Sequence, residues 1–402
     1  RHEADQAAYL AAINLAIFGN KETSYFKSFD KPLEDSEVWN DHAIEVEELL
    51  GQTLRLRRIN NVLVAPDYLP NAPDPAEIDA AIRLKGRQPG NALDPYFLYQ
   101  APLATTLWER IKISDSYGTH YRLCEEGLKE ILGHAKFRDR LAHSRLVMNL
   151  GVGAPSKDKL ILNTMQQLNM WNSVYCWVDA SYYMLFRTLR GLDPSAGVDL
   201  HKVALLADFE NPSRVKNTFE DSFGSMHRYA GRKIFFILGF TLSNLREDNF
   251  FTAYSHHCEE GDLLVFPMQF IPDECRHDSD KLAVFKQDLT NLYNFRDGRK
   301  LARAGLSSSE YFELVDTVVE PRVERYLFLD RPDSLRLSFQ TELRGPGRGE
   351  EAFRVTTAES FRHFESDYRE FLQAKGFSWL LESRERRGVR TVVVERVKGE
   401  SA

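Results

Sequence analysis

Five apolar runs that do not alternate with polar residues recur through the middle of the chain: LVMNL (146–150), VYCWV (174–178), KVALLA (202–207), KIFFIL (233–238) and DLLVF (262–266). A strand wetted on one face alternates; a strand covered on both does not, so these runs predict a parallel sheet with both faces buried. Helical text fills the gaps, as right-handed crossovers require. One helix ends at Leu132. Another carries Leu160, Ile161, Thr164, Met165 and Leu168 at helical spacing between Ser156 and Leu168, and a third passes through Phe250, Phe251 and Tyr254. After residue 272 the pattern changes to helical SDKLAVFKQDLTNLYNF and SSSEYFELVD, then to alternating RVERYLFLD and SLRLSFQTEL around a turn at Arg331-Pro332-Asp333. The helical FESDYREFLQAKGF follows, and FSWLLESRERRGVRTVVVERV closes the chain as two strands joined by a short Arg-Arg-Gly turn. A hairpin this tight is antiparallel.

Upstream, AAYLAAINLAIF and HAIEVEELLGQTLRLRRI read as helices before a Pro-rich connection, APDYLPNAPDPAE. The expected division is an N-terminal helical extension (1–92), a core (93–271 and 364–398) with a substrate-lobe entry segment at 93–135, and an inserted α+β lobe (272–363). At 402 residues such a two-lobed plan fits the usual size of domains. The net charge of −7 and the absence of a basic patch argue against nucleic acid and against an anionic membrane surface as partners. A small molecule fits better. Four scattered cysteines, no apolar run long enough to span a bilayer and no signal-peptide pattern in RHEADQAAYL lead to the expectation of a soluble, cytoplasmic protein.

The chemistry concentrates in RLVMNLGVGAPSKDKLILNTMQQLNMWNSVYCWVD (145–179). A strand running into a glycine turn brings backbone N–H groups and a helix N-terminus close to a ligand, and an acid ending the next strand suits ribose hydroxyls. That is a nucleotide-type cradle. Ser156 stands where the dinucleotide fingerprint has its third glycine, which disfavours an NAD-dependent oxidoreductase. Five parallel strands ending in an antiparallel pair outline instead the α/β, Rossmann-like, seven-stranded sheet of class I methyltransferases.

Several stretches over roughly residues 94–398 together resemble the histidine-specific S-adenosylmethionine-dependent methyltransferase family. Its members trimethylate histidine on the way to ergothioneine or N-methylate other amino acids. LGVGAPSKDKLIL resembles the family's glycine turn, VDAS its ribose-binding Asp, ADFEN its Gly-Asp-Phe, LGFTLSNL its G-x-T-x-x-N stretch and AESFRHF its Glu-x-Ser-x-Lys-Phe. The resemblance implies S-adenosylmethionine as cofactor and an amino-acid-like acceptor. It implies that Gly151, Gly153 and Lys157 line the methionine and ribose side, that Asp179 binds the ribose, and that Asp208 and Phe209 hold the adenine. Gly239 and Asn244 would then meet the acceptor's amino and carboxylate groups, Tyr99 and Tyr117 close the pocket, and Glu359 and Phe361 face the acceptor's side chain. Tyr117 and Asn244 are the expected catalytic residues.

The departures from the family pattern are specific. Phe361 replaces its Ser, His363 its Lys and Asn149 the acid of strand one, and the acid after strand five is missing from VFPMQF. A Ser-to-Phe exchange removes a donor and adds an apolar face, so the expected acceptor is larger or more aromatic than histidine. The altered motifs also motivate an alternative, a methyltransferase-like binding or scaffolding protein with residues 1–92 toward a protein partner. Blander roles exist for single residues: Asp179 as a helix cap, Asp208 as a turn residue, Tyr99 and Tyr117 as core aromatics, Glu359 as a solvated acid. His256, His257, Cys258, Cys275 and His277 lack zinc-ligand spacing, so no metal site is expected.

Overall fold

The computed structural model describes residues 57–59, 62–66, 79–86, 93, 102–115, 117–153, 155–192, 200–223, 231–293, 306, 313–315, 321–328, 331–345 and 352–398. The helical readings within residues 1–50 and the expected site residue Tyr99 lie outside them.

In chain order the described elements begin with β1 (Arg57–Ile59), β2 (Val62–Pro66), α1 (Pro102–Ile113), α2 (Tyr117–Gly133) and α3 (Ala135–Ala142). The core alternates β3 (Ser144–Leu150), α4 (Pro155–Gln167), β4 (Val174–Asp179), α5 (Tyr182–Gly191), β5 (His201–Leu206), α6 (Pro212–Phe223), β6 (Arg232–Phe236), α7 (Glu247–His257) and β7 (Leu263–Gln269). The lobe comprises α8 (Ser279–Tyr293), β8 (Glu313–Leu314), β9 (Arg322–Phe328), β10 (Arg331–Arg344) and β11 (Phe353–Arg362). The chain returns through α9 (Glu365–Ala374) to the hairpin β12 (Phe377–Glu382) and β13 (Val389–Arg396).

The main sheet runs β1-β2-β5-β4-β3-β6-β7-β13-β12. Strands β5, β4, β3, β6 and β7 are parallel, and β13 enters antiparallel beside β7. Those five and the closing hairpin are the class I methyltransferase sheet. Their burial is continuous in β4 and β7, as the unalternating runs predict. Val147, Tyr175, Trp177 and Phe236 pack on one face with Leu128, Ile161, Met165 and Leu185. Met148, Cys176, Phe235 and Phe266 pack on the other with Phe219, Phe250, Phe251, Tyr368 and Phe371. The order reverses at β3, between β4 and β6, and that switch point is where an open α/β sheet leaves a crevice beyond its carboxyl ends.

Two sequence readings are corrected here. Arg57–Ile59, read as the end of a helix, is a strand, and β2 overlaps the start of the Pro-rich connection. β1 pairs antiparallel with β2 from Arg57↔Val64 to Ile59↔Val62, and β2 pairs parallel with β5 from Leu63↔Val203 to Pro66↔Leu206, so sheet pairing sets the conformation where local spacing suggested helix. Likewise Glu313–Leu314, within the helical text SSSEYFELVD, is strand β8, held to the end of β10 through Leu314↔Leu343. β11, which the sequence reading treated only as a motif, pairs along β10 from Leu335↔Arg362 to Leu343↔Phe353 and completes the lobe's own sheet.

Candidate cofactor and acceptor site

The crevice is built from four loops. β3 leads into Gly151, whose φ of 72° is open to glycine at little cost. Its N–H donates to the Val178 carbonyl at 2.9 Å, fixing the turn to the end of β4. A Cβ there would stand 2.9 Å from Thr241 Cγ2 and 3.2 Å from the Phe209 ring, so the turn is walled by the loops after β5 and β6. A Cβ on Gly153 would stand 3.7 Å from Trp108 Nε1 of α1.

Asp179 closes β4. Its carboxylate accepts the Ser181 N–H at 2.7 Å and is also hydrogen-bonded by the Val152 N–H of the glycine turn. The cap of α5 is Ser181, whose hydroxyl accepts from Met184 N. Asp179 therefore does not serve as that helix's N-cap. Burial pushes its pKa up to about 7, against the two N–H donors. Asp208, half-buried after β5, accepts the Glu210 N–H at 3.0 Å. Next to it Phe209 faces Gly151, and its carbonyl accepts the Tyr254 hydroxyl at 2.8 Å.

Lys157, in the first turn of α4, is 3 % exposed. Its ammonium lies 3.8 Å from the centre of the Tyr121 ring and 3.8 Å from where a Cβ on Gly239 would sit. No hydrogen-bond acceptor or carboxylate meets it among the described residues. Burial lowers its pKa to about 8. A buried ammonium without a counter-ion is costly, and an arriving carboxylate removes that cost.

Gly239 (φ 74°) opens the loop after β6, and Asn244 ends its short helical turn, half-buried, with no hydrogen bond from its side chain to a described residue. Across the loop α2 supplies Tyr117, buried, 5.6 Å from Trp108 and 6.4 Å from Phe240 between ring centres. The residues expected to meet cofactor and acceptor thus gather at the carboxyl ends of β3, β4, β5 and β6, with Trp108 of α1 and Tyr121 of α2 against them.

Glu359 and Phe361 lie farther out, on one face of β11, which packs on the turn carrying Asn244. Glu359 is 5 % exposed, and its carboxylate is held by Arg246 at 2.9 Å and Arg336 at 3.2 Å. Burial raises its pKa while both guanidinium groups oppose the shift. Phe361 packs 4.9 Å from Tyr326.

Sequence reasoning passed over several neighbours. Asp158, fully buried, accepts Asn149 Nδ2 at 2.8 Å and the Tyr175 hydroxyl at 2.6 Å, with its pKa raised by burial to about 6. An Asn at the strand position where an acid is usual, with an Asp in the next helix's first turn, was the available signal. Trp108, Tyr121, Lys112 and Arg246 gave none. Lys112 pairs with Glu109 and sits 3.5 Å from the Gly153 carbonyl. His257 bonds Ser213 and the Ala253 carbonyl, and among the described residues no His, Cys, Asp and Glu group is arranged to hold a metal.

Strand order, glycine turn and strand-end acids define a class I S-adenosylmethionine-dependent methyltransferase. The chain belongs to the family described as histidine-specific methyltransferase, SAM-dependent, which matches residues 79–282. No curated protein matches it. Among solved structures it is similar to an S-adenosylmethionine-dependent methyltransferase from Clostridium acetobutylicum (12 % identity, 68 % of this chain and 92 % of that one, TM-score 0.36). It is also similar to magnesium protoporphyrin IX methyltransferase from Synechocystis (12 %, 72 % and 93 %, TM-score 0.38). A third is an amino pentose methyltransferase from Micromonospora echinaspora (14 %, 71 % and 98 %, TM-score 0.33). No helix among the described residues is long and apolar enough to cross a membrane.

Proposed function

We propose that this methyltransferase methylates the amino nitrogen of an amino acid or amino-acid-like small molecule larger or more aromatic than histidine. The observation that carries the reading is the buried ammonium of Lys157, which stands over the Tyr121 ring between the glycine turn and Gly239 and meets no carboxylate among the described residues. It lies where a cofactor's methionine carboxylate and an acceptor amino acid would meet. The residues fit S-adenosylmethionine: Lys157 for the carboxylate, Gly151 and Gly153 for close backbone approach, Asp179 for the ribose, Asp208 and Phe209 for the adenine.

When bound, the cofactor supplies an electrophilic methyl group on a sulfonium, open to in-line attack. The chain's own residues do the rest. Gly239 and Asn244 orient the acceptor's amino and carboxylate groups, since a lone pair held about 3 Å from its target gains most of its rate from orientation. Tyr117, Trp108 and Phe240 pack together beside the reacting centre and exclude water. An ammonium acceptor must lose a proton first, and the Tyr117 hydroxyl, directly or through water, passes it outward. Phe361, buried against Tyr326, is assigned by resemblance to the wall beside the acceptor's side chain. Tyr99 is assigned by resemblance to the same pocket. Four buried free cysteines suit a reducing, cytoplasmic setting.

Turnover with a panel of amino acids, read as product mass, tests the proposal. The expected result is methylation of aromatic acceptors with histidine poor; histidine as the best acceptor overturns it.

A further inference from the structure

The distal wall of the acceptor pocket is wired for a group of the opposite character to an imidazole. Glu359 and Phe361 point to the same side of β11 because alternate residues of a strand share a face. A lone carboxylate at Glu359 would select a cation or a ring N–H. Here that carboxylate is consumed: Arg246 takes Oε2 at 2.9 Å and Arg336 takes Oε1 at 3.2 Å, while Arg336 also meets Glu324 at 3.0 Å. Two arginines and two glutamates cancel, so the wall has lost the negative charge that would hold a base.

What remains open is a donor. Arg246 has 44 % of its side chain exposed, against 18 % for Arg336 and 4 % for Glu359. Glu359 is its one carboxylate among the described residues, and a guanidinium carries five N–H donors, so several stay available. Its Cζ lies 5.7 Å from the centre of the Phe361 ring, which Tyr326 backs from 4.9 Å. Arg246 follows Asn244 by two residues, a reach of at most about 7 Å. The wall that begins at the acceptor's amino group thus ends in a guanidinium lying against an aromatic ring.

We infer that the acceptor's side chain is aromatic and ends in a carboxylate or comparable anionic acceptor group, which Arg246 recognises with Phe361 beneath it. The inference rests on the reading of the crevice as an amino-acid methyltransferase site. Glu359 acts as a positioning residue: it fixes the guanidinium, whose planar fork then presents its free edge to the ligand.

The test is binding and turnover by the intact protein with 4-carboxy-L-phenylalanine, L-phenylalanine, 4-aminomethyl-L-phenylalanine and L-histidine, binding being measured with S-adenosylhomocysteine present. The acid should bind about tenfold or more tighter than phenylalanine, the size expected of a charge-assisted hydrogen bond, with the difference in KM rather than kcat. Arg246→Leu should bring the two to parity, and Arg246→Lys should keep part of the preference. S-adenosylhomocysteine affinity reports that each variant is folded. Histidine or the aminomethyl compound binding as well as the acid, or a preference that survives Arg246→Leu, overturns this inference and leaves amino-acid methylation standing. If no α-amino acid in the panel binds or is methylated, the reading of the site falls and the inference with it.

Discussion

Asp179 and Lys157, the residues proposed to hold the cofactor, have pKa values pushed toward each other, to about 7 and about 8. The cause is the same for both, since burial penalises the charged form of either group. Ribose hydroxyls donate to a carboxylate, so on the proposed assignment their binding favours ionised Asp179 and strengthens as pH rises through about 7. A methionine carboxylate favours protonated Lys157, so binding weakens as pH rises through about 8. S-Adenosylhomocysteine affinity should therefore peak between those values and fall on either side with a limiting slope of about tenfold per unit. Calorimetry from pH 5.5 to 9.5 checks it. Asp179→Asn should flatten the acid limb and Lys157→Met the alkaline one; a wild-type profile without a maximum would show that these groups do not hold the cofactor.

Gly151→Ala should lower stability by about 1–2 kcal/mol from its φ of 72° alone, with more from the crowding at Thr241, and should abolish measurable S-adenosylhomocysteine binding. Thermal unfolding and calorimetry read the two effects separately. At this scale the sequence shows what local order can show. Gly151, Lys157, Asp179 and Asp208 stand out because a strand, a turn and a strand-end acid are adjacent in the chain. Arg246 and Arg336 do not stand out, because each reaches Glu359 only after the lobe's β10–β11 pairing and its packing on the Asn244 turn are in place. Glu359 was therefore legible as an acid but not as one already paired.

Among the elements, the N-terminus of α7 joins core to lobe. Arg246 reaches Glu359, and the next residue, Glu247, meets His363, whose other ring nitrogen lies 2.8 Å from Ser334 Oγ at the start of β10. All three members of that chain are buried. The Lys-to-His departure at 363 thus has a structural place: an imidazole bonds on two sides, to β10 and to α7, and packs 4.0 Å from Phe328. Glu247→Ala leaves His363 without its buried partner and should cost about 3 kcal/mol, seen as an earlier denaturation midpoint. Glu247→Gln keeps a hydrogen-bonding group and should cost less; equal losses would mean that packing, not the pair, holds the joint. Strand β11 was hidden from the sequence reading for a different reason. Its text, FRVTTAESFR, was read only for the motif in AESFRHF, although the alternating text before it already marked strands in the lobe, and its place became visible only through its pairing with β10.

For the whole molecule, the parallel core was legible because burial on both faces leaves a mark in the sequence that needs no partner to read. The edge was not, because β1 and β2 are short and gain their conformation from pairing, β2 with β5 and β1 with β2. Val62 is buried in the same cluster as Leu200, Ala204 and Leu206, so residues expected to lie outside the core contribute to it. The consequence is testable by deleting residues 1–66. That removes both strands, uncovers apolar surface on that cluster and leaves the Val203–Leu206 backbone of β5 as an open edge. An open apolar edge invites pairing with another chain. The truncated protein should melt at a lower temperature than the full chain and form soluble aggregates by light scattering. S-Adenosylhomocysteine should raise the melting temperature of both, because the residues proposed to hold it, the glycine turn, Asp179 and Lys157, remain. Equal melting temperatures and equal mass in solution would mean that β1 and β2 are a detachable appendage rather than the sheet's outer strands.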